Sequence, residues 1–160
     1  MDESTRETMF SSKSVEWGTP DDFYGVLDKK FGPFTLDVCA TEHNHKCTKY
    51  FTEKDDGLSQ DWGGNICFMN PPYGRNMAGK WVEKAYNESL KDNTIVVCLL
   101  PARLDTKWSH NYCMKAKEMH FVRGRLKFGG GKNSAPFPSM VVVFDGSKNK
   151  CPRTFSIEKS

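Results

Sequence analysis

The sequence predicts an α/β fold: a mostly parallel sheet with helices on both faces and an antiparallel edge. Three observations predict it. Short continuous apolar runs, of which Thr94-Ile95-Val96-Val97-Cys98-Leu99-Leu100 is the clearest, have the character of strands buried on both faces. Segments with helical spacing alternate with those runs. The last two runs are separated by a basic, glycine-rich loop with no helix, so they can pair antiparallel.

Residues 1–14 are polar and aperiodic and read as a disordered tail, which leaves 15–160 as a single domain. Thr19-Pro20-Asp21-Asp22 reads as a helix start. Thr19 is placed to cap, Pro20 fits the first turn, and two acids suit the positive helix end. The helix carries Phe23, Val26 and Leu27 on one face and stops near Gly32-Pro33. Residues 34–39 form a short strand ending in a carboxylate, Asp37, and 49–52 form a weaker one. Asn65-Ile66-Cys67-Phe68-Met69 is an apolar run that stops at Asn70-Pro71-Pro72, because two prolines cannot continue a strand ladder. Trp81, Ala85 and Leu90 give helical spacing over 78–91. After the strand at 94–100 comes a helix over 106–117, a strand at 119–122, a loop or hairpin over 123–134, and a last strand at 139–144.

With 160 residues, 38% of them hydrophobic, the chain suits one globular core. No apolar run approaches the roughly 20 residues of a membrane span, and the N-terminus lacks a secretory pattern. Neither membrane association nor export is expected, and the location expected is cytoplasmic. A net charge of +3 permits a nucleic-acid partner without pointing to one. Cys67 and Cys98 sit in apolar runs and read as buried free thiols. Cys39, His43, His45 and Cys47 have the composition of a zinc site, but their spacing matches no usual pair of ligand turns, so no metal is expected.

Ligands of open α/β sheets bind beyond the carboxyl ends of the strands. Two such ends carry chemistry here: Asp37, and the tetrapeptide Asn70-Pro71-Pro72-Tyr73. An exocyclic amine is a poor nucleophile because its lone pair is delocalised into the ring. Acceptors that hold both N–H bonds favour the tetrahedral nitrogen that attacks a methyl group. The Asn70 side-chain oxygen can be one acceptor. The Pro71 carbonyl, directed by the fixed proline backbone, can be the other. Tyr73 offers a flat face on which an extruded base can stack, worth about 1–3 kcal/mol per base. The target base has to leave the duplex, since its amine is otherwise paired.

In these residues, and in the stretches Trp17-Gly18-Thr19-Pro20, Leu36-Asp37-Val38-Cys39-Ala40, Asp56-Gly57-Leu58 with Trp62, Leu100-Pro101-Ala102-Arg103 and Gly124-Arg125-Leu126-Lys127-Phe128, the chain resembles the phage-type DNA N-6-adenine methyltransferases, often called Dam-like. The resemblance implies a Rossmann-like class I methyltransferase fold, S-adenosylmethionine as cofactor and double-stranded DNA as partner, in the cytoplasm of a bacterial host if phage or prophage encoded. It implies that Asn70, Pro71, Pro72 and Tyr73 hold the target adenine. Trp17, Thr19 and Pro20 would close over the methionine end of the cofactor, with Asp37, Cys39 and Ala40 forming the first cofactor loop. Asp56 would bond the cofactor adenine. The chain lacks the Gly-x-Gly that many related enzymes carry after the first strand, and Glu42, Glu53 and Asp55 are all candidates for the ribose.

Arg103, Arg125, Lys127 and Lys132 are the expected DNA-phosphate contacts. Trp81 and Trp108 read as core anchors. Other readings of the tetrapeptide are methylation of a protein glutamine amide and a non-catalytic DNA-binding module of the same fold. Homodimerisation is one way to widen so small a DNA footprint.

Overall fold

The computed structural model describes residues 18–74, 76–130 and 134–160. Trp17, Lys132 and the tail at 1–14 lie outside the described residues. Among the described residues, three helices of four or more residues and six strands appear in the order α1 (Asp21–Phe31), β1 (Leu36–Asp37), β2 (Ile66–Met69), α2 (Met77–Ser89), β3 (Ile95–Pro101), α3 (Lys107–Asn111), β4 (Glu118–Val122), β5 (Ser139–Asp145) and β6 (Arg153–Ile157).

The strands form one sheet in the order β1-β2-β3-β5-β4-β6. β1, β2 and β3 are mutually parallel, β5 runs antiparallel to both β3 and β4, and β6 is parallel to β4. All strands but β5 therefore point one way. This is a mixed α/β sheet, consistent with the class I methyltransferase fold that the resemblance implies. The expected antiparallel pair is β4–β5. Outside it lies β6, which the sequence pattern does not predict.

Each face of the sheet is covered, which is why its strands read as apolar throughout. On one face α1 places Phe23 and Leu27 against Phe68, Val97, Leu99 and Val141. On the other α2 places Trp81, Val82 and Ala85 against Cys67, Met69, Val96 and Cys98. Alternate residues of each strand serve opposite faces, as the pleat requires.

Three local expectations are adjusted. The strand at 49–52 is a single bridge, Asp37 to Tyr50. The helix over 106–117 ends at Asn111, since Tyr112 leaves helical geometry, and continues as a 3-10 turn over Cys113–Lys115 that buries Cys113 in the core. The cap of α1 is Pro20, not Thr19. The Thr19 hydroxyl is engaged elsewhere, in the site.

Candidate active site

Asp37 ends β1, Asn70 follows β2, Arg103 follows β3, and Arg125 and Lys127 follow β4. Because these four strands share one direction, all five residues gather at one end of the sheet, the end at which such folds bind ligands. Register brings the first two together. Asp37 pairs with Phe68, two residues before Asn70.

Asn70 is buried, at 6% exposure, and its amide is held from both sides. Its Nδ2 donates to Thr19 Oγ1 at 2.9 Å. Its Oδ1 accepts from the Tyr73 hydroxyl at 2.5 Å. That hydroxyl also lies 3.1 Å from the Leu99 carbonyl oxygen. The Tyr73 ring is packed nearly perpendicular to Phe128 and Phe137, at 6.1 and 5.4 Å between centroids. Burial raises the Tyr73 phenol well above its ordinary value, so it stays a neutral donor. Tyr73 is thus more enclosed than a base-stacking role in the sequence suggests, at 8% exposure.

On one side of the tetrapeptide lies a cleft of two chambers. The larger, about 210 Å³, is walled by Val38, Phe51, Leu58, Pro72, Met77 and Trp81, with Glu53 and Asp56 among its polar lining residues. The smaller, about 20 Å³, is lined by Thr19, Asp37, Lys46 and Asn70 among others. Cys39, Ala40 and Thr41 border both, so the loop after β1 is the floor they share. The Asp37 carboxylate, 3% exposed, accepts from the backbone N–H of Cys39 at 3.3 Å and of Lys46 at 2.9 Å. Asp56 occupies a left-handed conformation, φ 53°, and opens the turn that brings Gly57 against Val38. The Trp62 indole N–H bonds the Gly57 carbonyl at 2.9 Å, and Glu88 of α2 accepts from the Trp62 backbone N–H at 2.6 Å, which pins that turn to α2.

On the other side lies an open cleft of about 620 Å³ between α2 and α3, lined by Tyr73, Lys80, Pro101, Arg103, Lys107 and Trp108 among others. Arg103 is exposed and lies over Phe137, 5.9 Å from its centroid. In the segment after β4, Leu126 and Phe128 are buried while Arg125 and Lys127 are exposed. That alternation seats the segment on its apolar side chains and turns its cations outward. Gly129 N–H then bonds the Gly18 carbonyl at 2.7 Å, tying this segment to the strand of chain that carries Thr19.

Two of the residues considered for zinc, His45 and Cys47, are otherwise engaged. His45 stacks on Tyr50 at 3.9 Å, and its Nδ1 lies 2.8 Å from the Cys47 carbonyl. Cys47 Sγ lies 3.7 Å from the Tyr24 hydroxyl. No three metal-ligating groups converge among the described residues.

Comparison with known proteins decides the family. Residues 7–157 match the profile of the family described as DNA N-6-adenine-methyltransferase (Dam). The chain belongs to that family.

The DNA N-6-adenine-methyltransferase of Haemophilus phage HP1 is 33% identical over 148 residues, which cover 88% of this chain and 84% of that protein. The protein of the same description from Escherichia phage T1 is 32% identical over 111 residues, 69% of this chain and 45% of that protein. A shorter match, 38% identical over 64 residues, is to the putative methyltransferase YfdM of Escherichia coli strain K12. This Dam-family chain is accordingly an adenine-specific DNA methyltransferase, and its family implies dependence on S-adenosylmethionine. No helix among the described residues is long and apolar enough to cross a membrane.

Sequence reasoning misses two parts of the site. Trp81 reads as core only, yet it walls the larger chamber while packing on Trp62 at 6.2 Å. Thr19 reads as a helix cap and, by the resemblance, as a residue over the cofactor, but its hold on the Asn70 amide is not legible. No local signal marks a contact between residues 51 positions apart.

Proposed function

We propose that this enzyme methylates the N6 amine of an adenine extruded from duplex DNA, with 15–160 as its catalytic domain. The cofactor would lie in the two-chambered cleft and the base in the cleft between α2 and α3. The observation that carries this reading is the position of the tetrapeptide between them. Asn70 borders the smaller cofactor chamber, Pro72 the larger, and Tyr73 the open cleft.

The residues present fit S-adenosylmethionine. An apolar slot with acids among its lining suits a purine ribonucleoside, whose ring needs walls and whose hydroxyls and amine need acceptors. Asp56 would take the adenine amine. Of the three acids open for the ribose, Glu53 lines the chamber, whereas Asp55 is bonded to the Thr52 backbone and hydroxyl within its own turn. Asp37, with Cys39 and Ala40 beside it, would hold the amino group of the methionine end, under Thr19 and Pro20. When bound, the cofactor supplies an electrophilic methyl on a sulfonium.

The chain's own contribution is orientation. Asn70 Oδ1 and the Pro71 carbonyl accept hydrogen bonds from the two N6 N–H groups and raise electron density on the nitrogen. Thr19 and Tyr73 keep the Asn70 amide from rotating. This is catalysis by preorganised acceptors and alignment. Pro72 closes the wall between nitrogen and nucleoside. Arg103, Arg125 and Lys127 meet phosphates, fixing the duplex without reading its sequence.

The test uses labelled S-adenosylmethionine with duplex DNA of varied sequence, digested to nucleosides, alongside calorimetry of donor binding. N6-methyladenine should appear with the wild-type enzyme. Asp37→Asn should weaken donor binding at least tenfold. Undiminished binding in Asp37→Asn would contradict this placement of the cofactor, whatever the product.

A further inference from the structure

A cofactor that ends in an α-amino acid presents two opposite charges, and the smaller chamber offers two. Its anion is Asp37. Its cation is Lys46, the sole lysine or arginine among the described residues that line either chamber. One residue organises both. The Lys46 backbone N–H donates to Asp37 Oδ2 at 2.9 Å, and Lys46 is among the residues that line the same chamber. The ammonium is parked on Asp21 Oδ1 at 2.6 Å and lies 5.9 Å from the centre of the Tyr24 ring.

That parking is asymmetric. The Lys46 side chain is 12% exposed, whereas that of Asp21 is 96% exposed. A lysine so enclosed has given up most of its water for a partner that stands in solvent, and such exposed partners contribute little. Lys46 also borders the outer cavity that Asp21 and Asp22 line, so that cavity and the chamber share this residue. A short rotation about its flexible stem exchanges one carboxylate for another without breaking the backbone contact to Asp37.

We propose that Lys46 receives the carboxylate of the cofactor's methionine end, with Asp21 holding it until the cofactor arrives. The proposal rests on reading the two-chambered cleft as the S-adenosylmethionine site. It makes Asp37 and Lys46 a matched pair for a zwitterion, set nine residues apart in the chain and joined by one hydrogen bond.

The experiment is calorimetric and needs no turnover. Full-length wild type, Lys46→Met, Lys46→Arg and Asp21→Asn are titrated with S-adenosylmethionine and with its decarboxylated analogue, which keeps the sulfonium and amine and lacks only the carboxylate. Wild type should prefer the carboxylated ligand by at least tenfold. Lys46→Met should lose that preference while binding the analogue within about twofold of wild type, and Lys46→Arg should retain most of it. Asp21→Asn removes the same ion pair from the other side and should bind S-adenosylmethionine as tightly as wild type or more tightly. A preference that survives in Lys46→Met, or an equal loss for both ligands, overturns the assignment. If wild type binds neither compound, the reading of the cleft itself falls; if it binds both alike, only the role of Lys46 does.

Discussion

The Tyr73 hydroxyl donates to Asn70 Oδ1 at 2.5 Å, while Thr19 holds the other end of the same amide at 2.9 Å. A primary amide gripped at both atoms cannot rotate, and a carbonyl oxygen with two lone pairs can serve an orienting donor and a substrate proton together. Removing the amide and removing its support should therefore differ in size. Asn70→Ala should lower kcat by about 100- to 1,000-fold, the usual cost of a lost preorganised hydrogen-bond partner. Tyr73→Phe removes one orienting bond and should cost up to about tenfold. Single-turnover methylation of duplex DNA measures both. Donor affinity should stay within about twofold in each, and a collapse of donor binding in Tyr73→Phe would show that its hydroxyl supports the cofactor cleft instead.

The turn beside the two-chambered cleft has no room for a larger residue. A Cβ on Gly57 would lie 2.3 Å from the Val38 carbonyl oxygen and 3.0 Å from the Trp81 ring. The first obstacle is backbone, which cannot rotate aside. Gly57→Ala should therefore push the Asp56 turn off the floor of the cleft, destabilise the fold by about 1–3 kcal/mol and weaken donor binding. Gly25 supplies the contrast. It sits exposed inside α1, where an added Cβ would meet nothing within 4 Å, so Gly25→Ala should stabilise by about 0.5–1 kcal/mol through helix propensity. In thermal melts the two variants should move in opposite directions, and in donor titrations only Gly57→Ala should change. Equal melting temperatures for both would refute the packing argument.

What the sequence disclosed follows from how local each signal is. Asn70-Pro71-Pro72-Tyr73 was legible because two prolines after an apolar run must end a strand, and strand ends in such sheets carry ligands. Asp37 was legible as a carboxylate at a strand end. β6 was not legible, because three of its five residues are exposed and it lies at the sheet edge, where a two-sided apolar run is not required. Residues 49–52 carry strand-like side chains, but β1 offers them only Asp37 to pair with, and one bridge is the result. Lys46 was hidden inside the Cys-His segment weighed for zinc. Its partners Asp37 and Asp21 lie 9 and 25 residues away, and only the fold collects them.

The cations at the carboxyl end of the sheet make a prediction about salt. Arg103 and Lys127 are exposed beside the residues that pack around Tyr73, whereas Lys148 follows β5, the reversed strand, and so lies at the opposite end. If Arg103 and Lys127 each neutralise one phosphate, Arg103→Ala and Lys127→Ala should each reduce the slope of log K against log salt by about 1. Lys148→Ala should leave the slope as it is. Fluorescence anisotropy with a labelled duplex across a salt series reads all three. Equal slopes in every variant would place the DNA elsewhere on the surface.

Away from the site, His120 links three elements and should set the acid limit of the fold. It is 1% exposed, stacks on Phe155 of β6 at 4.7 Å, and meets the edge of Phe31 of α1 at 5.1 Å. Its Nε2 lies 2.8 Å from Glu118 Oε1. Burial disfavours the imidazolium more than Glu118 favours it, with Lys30 adding to the opposition, so its pKa falls below the ordinary 6.5. A depressed folded value means that the unfolded chain takes up the proton first. Stability from this residue is then fully present above pH 6.5 and is lost as the pH falls through the folded value. His120→Phe keeps an aromatic ring between Phe31 and Phe155 and removes the titration. Urea midpoints from about pH 7.5 to 5.5 should show wild type losing ground to the variant as acid is added, by up to about 1.4 kcal/mol per pH unit. A difference that stays constant across that range would mean the imidazole takes up its proton equally in the folded and unfolded chain, and one that shifts in wild type's favour as acid is added would mean it is charged in the fold, held there by Glu118.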